Sequence, residues 1–505
     1  MRIVPTVAFH TLGCKVNFYD TEAIWRRFQD AGYQQVDFET EADVYVINTC
    51  TVTNTGDKKS RQMIRRAVRT NPNAVVAVTG CYAQMAPDAI AAIAGVDLVV
   101  GNDRKTKIVD LVADVQREQD PMESRPLRNR SVGDTLTVHK SVGNILKTWE
   151  FEEMDVPYFE DRTRANLKIQ DGCNNFCTFC IIPYARGLIR SRTPEKVVAQ
   201  ARKLAKAGYR EIILTGIHTG GYGADLNGYR LSHLLQDLEQ IDELYRIRIS
   251  SIEASEIDDM LIDVLGRSTK VCRHLHIPLQ AGHNQVLRKM NRHYTVEDYA
   301  AKIRKLREAL PELAVTSDVI VGFPGETDAY FDDTEQLIKD LGFSQLHVFP
   351  YSPRKGTPAA KFTDQVSNAV KEARTERLIA LSETLVVDYA TTWLGRSVEV
   401  IPEEPYHLPD APERRGEGPM GRSGFWLMGH TDTYLKVAFR VPEGVEPEKI
   451  MGEVCKVRLT DVSGSFQYGE FESQITVAED LQLDGNTPAA GESFAGTPSF
   501  QADAG

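Results

Sequence analysis

No segment of the chain runs for about eighteen residues on apolar side chains alone. The amino-terminal MRIVPTVAFHTLGCK has neither a basic flank leading into a sustained apolar stretch nor a cleavage site. No membrane partner is therefore expected, and a cytoplasmic location is. Cysteine is scarce, with eight in 505 residues, too few for a secreted disulfide scaffold. Positive charge is in deficit as well: the formal net charge is -12, so any basic surface for nucleic acid has to be local. What remains, 42% hydrophobic and 26% charged, is ordinary for a folded soluble chain, and the length suggests about three domains.

Six of the eight cysteines fall in two groups of three. Cys173, Cys177 and Cys180 lie in DGCNNFCTFCIIPYARG, a Cys-x3-Cys-x2-Cys spacing. A [4Fe-4S] cluster ordinarily takes four cysteines, so three thiolates leave one iron open to a small molecule. The amino and carboxylate groups of S-adenosylmethionine (SAM) can chelate that iron. A zinc knuckle lacking its fourth ligand, or three unrelated buried thiols, are the other readings of the spacing.

Cys14, Cys50 and Cys81 close the apolar runs VAFHTLGC, ADVYVINTC and AVVAVTGC, with helical segments TEAIWRRFQDAGY and DKKSRQMIRRAVRTN between them. Strand, helix, strand, helix, strand reads as an α/β unit with a parallel sheet. Ligands gather beyond the carboxyl ends of such strands, which suits a second three-thiolate cluster; three separately packed cysteines are the alternative. Cys272 and Cys455, alone on apolar runs, read as packed thiols.

The organisation expected is α/β. A parallel-sheet α/β domain covers residues 3–116, and a linker rich in Pro, Arg and Glu, without a core element, covers 117–158. Over 159–391, six strand-like runs alternate with helical segments as a partial (β/α)6 barrel, the chemistry at the carboxyl ends of its strands. Period-two patterning over 392–477 predicts a small antiparallel β-barrel, interrupted by a long loop at 403–423. The tail 478–505, poor in aliphatic residues, is expected to be disordered.

With both cysteine groups placed, the chain resembles the radical SAM methylthiotransferases of tRNA and ribosomal protein up to about residue 477. TLGCKVN, INTCTVTN, TGCYAQ, the cysteine loop, TGIHTGGYG, HIPLQAG, LRKMNRHYT, DVIVGFPGET and FPYSPRKGT occur in the family's order. TLGCKVN with INTCTVTN is most similar to the bacterial group acting on N6-threonylcarbamoyladenosine at position 37 of tRNA; groups acting on isopentenyladenosine or on a ribosomal protein usually differ in the first motif.

The resemblance implies two [4Fe-4S] clusters, one on Cys173, Cys177 and Cys180 that cleaves SAM and one on Cys14, Cys50 and Cys81 that delivers sulfur. It places Phe179 against the adenine of SAM, Thr215 and Gly216 by its methionine amino group, and Gly322 near its adenine. Glu253 and Gln280 would contact SAM or substrate. It implies an RNA-binding TRAM module of OB-like fold for the last barrel and the tRNA anticodon loop as partner. Electron and sulfur donors stay unidentified, and a non-catalytic iron-sulfur carrier is the reading of another class.

Two basic segments are candidates for phosphate contact. Lys58, Lys59, Arg61, Arg65, Arg66 and Arg69 follow Cys50, four of them on one helical face, although a charged face is most often merely solvated. Arg186, Arg190 and Arg192 follow the cysteine loop. His274 and His276 are expected on opposite faces of a strand, His276 toward the site or in the core, and His218 follows a barrel strand.

Overall fold

The computed structural model describes residues 4–119, 138–156, 158–159, 163–406, 425–464 and 466–475. Most of the expected loop 403–423 and all of the expected tail 478–505 lie outside these. Residues 403–405 belong to a strand.

Strands β1 (Thr6–Thr11), β2 (Gln34–Gln35), β3 (Val44–Thr49), β4 (Val75–Gly80), β5 (Leu98–Val100) and β6 (His139–Ser141) form one sheet, in the order β2-β1-β3-β4-β5-β6. Every pairing is parallel. The runs are continuously apolar because both faces are covered. Alternate residues go to opposite sides: Ala8, Tyr45, Ile47, Val76 and Val78 pack under helix α2 (Asn54–Thr70), whereas Val7, Phe9, Val44, Val46 and Ala77 pack under helix α1 (Lys15–Asp30). Helix α2 starts where Thr53 accepts a hydrogen bond from the Gly56 N–H, and carries Asp57 in its first turn and Arg69 in its last, as the helix dipole favours.

The segment expected to be a bare linker is not one. It supplies β6 to the sheet and buries Ile145, Met154 and Val156. Short pairings formed with a distant strand leave little periodic signal, which is why composition alone hid them.

Strands β7 (Ala165–Lys168), β10 (Glu211–Thr215), β11 (Arg246–Ile249), β12 (His274–His276), β13 (Ala314–Val321) and β14 (Gln345–Pro350) form the half-barrel. A short hairpin of β8 (Gln170–Asp171) and β9 (Arg190–Ser191) follows β7. Two three-stranded parallel sheets, β7-β10-β11 and β12-β13-β14, are joined by the bridges Ile247↔Val271 and Ser251↔His276. Tyr19 and Ala23 of α1 enter the same core.

Strands β15 (Ser397–Pro405), β16 (Trp426–Thr431), β17 (Lys436–Arg440), β18 (Val454–Ser463) and β19 (Phe466–Ile475) close a barrel in the order β15-β16-β17-β19-β18. It is antiparallel except where β17 meets β19. Ion pairs tie it to the half-barrel: Arg248 is held by Glu211 and donates to the carbonyls of Thr431 and Asp432, and Arg164 bridges Glu211 and Glu403. Among the described residues no helix is long and apolar enough to cross a membrane.

Candidate active site

Cys14, Cys50 and Cys81 end three adjacent strands, and the glycines before two of them let the strand ends close up. Gly80 has φ +94°, and a Cβ there would stand 2.3 Å from the Thr49 carbonyl oxygen. Gly13 has φ +107°, with Cys50 Sγ 3.1 Å from where its Cβ would be. Only glycine adopts such a conformation against so near a neighbour. Asn17 fastens the loops by donating to the carbonyls of Leu12 (2.7 Å) and Thr49 (3.2 Å). Burial, then the neighbouring Cys81, push the Cys50 thiol up to about 11.

The second triad follows β8. Cys173 N–H donates to Gly187 O at 3.0 Å and Cys180 N–H to Cys177 O at 2.9 Å, and Asn291 holds the carbonyls of Asn175 and Phe176. Burial and the adjacent Cys177 push Cys180 up to about 12. All six thiols are free.

Each triad carries a buried cation at a sulfur. Arg186 Nε lies 3.4 Å from Cys81 Sγ, and Arg292 Nη1 lies 3.3 Å from Cys177 Sγ while pairing with Glu253. His218 pairs with Glu256; burial opposes its protonation, but Cys173 and Glu256 beside it raise it to about 10. Hydrogen-bond donors aimed at sulfur suit metal-bound thiolates. Among the described residues no three His, Cys, Asp or Glu side chains close on a single ion.

A cavity of about 1220 Å³ lies between the first sheet and the half-barrel; its wall includes Cys14, Lys15, Thr215, Gly216, His276 and Tyr434. Tyr434 comes from the C-terminal barrel and stacks on His274 with ring centres 4.6 Å apart, so all three parts of the chain build the wall. Lys15 is exposed to the cavity yet surrounded by protein: burial, then Arg164 and Arg248, lower its ammonium to about 8.

Of the residues singled out in the sequence, Cys14, Lys59, Arg66, Thr215, Gly216, His274 and His276 share this cavity. Phe179 meets Phe323 edge-on at 6.3 Å. Gln280 adopts φ +64° beside β13, exchanging backbone bonds with Asp318 and Ile320. The open side of Gly322 faces the Lys371 side chain, 2.3 Å from where a Cβ would be, so packing against the helix Asn368–Thr391 accounts for that glycine. Cys272 and Cys455 are buried.

Two expectations are overturned. Arg186, Arg190 and Arg192 are not an RNA surface: all three are buried. Arg186 joins Asp20 and Asp171 at 3.0 Å each, Arg190 caps the carbonyls of Arg186 and Leu188, and Arg192 pairs with Glu153 and Asp155. Nor do His274 and His276 oppose each other. Residues two apart on a strand share a face, and both rings lie 2.9 Å from Thr316 Oγ1. On α2, Lys58, Arg65 and Arg69 are exposed, whereas Arg61 bonds the Tyr82 hydroxyl and Arg66 pairs with Glu39. Lys15 and Arg292 were missed as site residues, and His218 was noted only as following a barrel strand. Lys15 stood inside a quoted motif, but its place on a cavity wall depends on packing between distant strands.

A three-cysteine loop following the first strand of a six-stranded parallel half-barrel, its sulfurs met by buried cations, defines a radical SAM enzyme. Residues 167–338 match the model of the Radical SAM superfamily, and residues 6–101 match Uncharacterized protein family UPF0004. The chain is 52% identical over 478 residues to threonylcarbamoyladenosine tRNA methylthiotransferase MtaB of Bacillus subtilis (strain 168), covering 94% of this chain and 98% of that protein. It is 36% identical over 398 residues to tRNA-2-methylthio-N(6)-dimethylallyladenosine synthase of Pelotomaculum thermopropionicum, covering 77% and 85%. In fold it is similar to the radical S-adenosylmethionine methyltransferase TsrM from Kitasatospora setae, with TM-score 0.52, 16% identity and coverage of 71% of this chain and 77% of that one. The chain belongs to the radical SAM methylthiotransferase family.

Proposed function

We propose that this enzyme adds a methylthio group to C2 of N6-threonylcarbamoyladenosine at position 37 in the anticodon loop of tRNA, in the cytoplasm where that substrate is found. The observation that carries the reading is 52% identity to the Bacillus subtilis protein across 98% of its length.

Cys173, Cys177 and Cys180 would hold one [4Fe-4S] cluster and Cys14, Cys50 and Cys81 a second. With SAM bound, these cofactors supply the radical, the sulfur and the methyl group. The chain's own residues hold and orient them. Arg292 donates to the Cys177 sulfur and Arg186 to that of Cys81. Thr215 and Gly216 present a strand end to the cavity into which Cys14 opens, so a nucleotide there would lie between that barrel strand end and the amino-terminal triad, with protein walls excluding water. The aromatic cluster Tyr406, Phe466 and Tyr468 on the last barrel suits stacking with RNA bases.

Mass spectrometry of nucleosides from cells lacking the enzyme tests the reading. The 2-methylthio derivative should vanish while N6-threonylcarbamoyladenosine persists. Loss of methylthio-isopentenyladenosine, or of a methylthio group on a ribosomal protein, would overturn it in favour of those substrates.

A further inference from the structure

We propose that Lys15 recognises the threonyl carboxylate of the modified adenosine, forming an ion pair with it inside the cavity. The assignment rests on the proposed function and deepens it by naming the residue that selects the substrate.

Lys15 borders the cavity and is exposed within it. Among the described residues it makes no ion pair or hydrogen bond. The other basic residues of the wall are engaged: Arg66 with Glu39, Arg248 with Glu211, and Lys59 has a partner as well. The acids nearest Lys15 are also taken, Glu211 by Arg248 and Arg164, Glu403 by Arg164 and His430. Asp318, across the cavity, holds His276 at 3.1 Å. An ammonium that borders the cavity and makes no ion pair or hydrogen bond among the described residues can pair with a ligand carboxylate.

The position of Lys15 suits this substrate. C2 of adenine and the carbon bearing N6 flank the same ring nitrogen, so the threonyl carboxylate carried through N6, about seven bonds from C2, lies on the side of the base that receives sulfur. Lys15 is the next residue after Cys14 and opens helix α1, whose amino-terminal N–H groups favour an anion. A neutral N6 substituent has nothing to offer this ammonium.

The experiment pairs a change in the protein with a change in the substrate. Wild type, Lys15→Gln and Lys15→Arg, each checked for full iron content and an unchanged thermal transition, are assayed on tRNA carrying N6-threonylcarbamoyladenosine. They are also assayed on the same tRNA with the threonine carboxylate converted to a carboxamide. On the carboxylate substrate, Lys15→Gln should lower kcat/KM by about tenfold or more, as loss of a charge-assisted bond predicts, with Lys15→Arg restoring most of it. On the carboxamide, wild type and Lys15→Gln should be equal. An equal loss on both substrates would place Lys15 at the cluster or at the SAM carboxylate and overturn the assignment, as would no loss on either. Failure of the wild type to act on the carboxylate tRNA at all would instead overturn the proposed function, and this assignment with it.

Discussion

Arg186 Nε lies 3.4 Å from Cys81 Sγ, while Nη1 of the same guanidinium bonds Asp20 and Asp171 at 3.0 Å each. One buried side chain, six residues past the last cysteine of the loop, therefore joins the half-barrel to the amino-terminal triad. Lys105 and Lys168 complete the group by pairing with Asp20.

Arg186→Ala should leave Asp20 and Asp171 short of a cation in a dry interior. The expected cost is about 3–5 kcal/mol of stability, as for other broken buried ion pairs, read by chemical denaturation. Arg186→Lys should recover part of this and not all, since a single ammonium cannot reach both carboxylates and the sulfur together. A loss below about 1 kcal/mol for Arg186→Ala, the scale of exposed pairs, would show that the network does not hold the two parts together.

Reconstitution under anaerobic conditions should load about eight irons and about eight sulfides per chain, as for two cubanes. Replacing Cys14, Cys50 and Cys81 together by alanine should halve the iron and keep the loop cluster. Cys50→Ala should still cleave SAM to 5′-deoxyadenosine without forming methylthio nucleoside, whereas Cys177→Ala should do neither. Methylthio product from folded Cys50→Ala at the wild-type rate would remove the amino-terminal triad from sulfur delivery.

Acid should loosen the C-terminal barrel through Glu211. Burial pushes its carboxyl up, but Arg248 and then Arg164 outweigh burial and hold it well below the usual carboxylate range. A depressed folded-state pKa means that its stabilisation is complete above the ordinary glutamate range near pH 4.5 and is lost as pH falls below it. Urea midpoints measured from pH 7 downward should therefore decline for wild type. Glu211→Gln should start lower at pH 7 and decline less steeply; parallel curves would rule out Glu211 as a source of the acid sensitivity.

Lys58, Arg65 and Arg69 are exposed on helix α2 just past Cys50. If they meet phosphate, Arg65→Glu combined with Arg69→Glu should weaken tRNA binding and lower the slope of log affinity against log salt by about 2. The thermal transition should stay in place. An unchanged salt slope would mark this face as merely solvated.

The cysteine groups, the parallel sheet, the half-barrel and the closing small barrel were all legible in the chain, because each leaves a local signature. Apolar runs end in cysteine, two of them after a glycine that the turn requires, and the loop spacing is written in eight consecutive residues. Charge partners leave no such trace. Arg186, Arg190 and Arg192 look like a basic surface in sequence, and only the approach of Asp20, Asp171, Glu153 and Asp155 from other segments makes them interior. The same holds for β6, a short strand that exists because β5 offers it an edge, and for Arg292, which reaches Cys177 from 115 residues away. Ligand spacing and periodicity are properties of neighbours along the chain, so sequence alone determined the architecture and the grouping of the cysteines, while the family resemblance, and not the spacing, pointed to the cofactors. Which cation meets which anion, and which ammonium is left facing the cavity, depends on contacts between distant segments, and only the tertiary structure decided it.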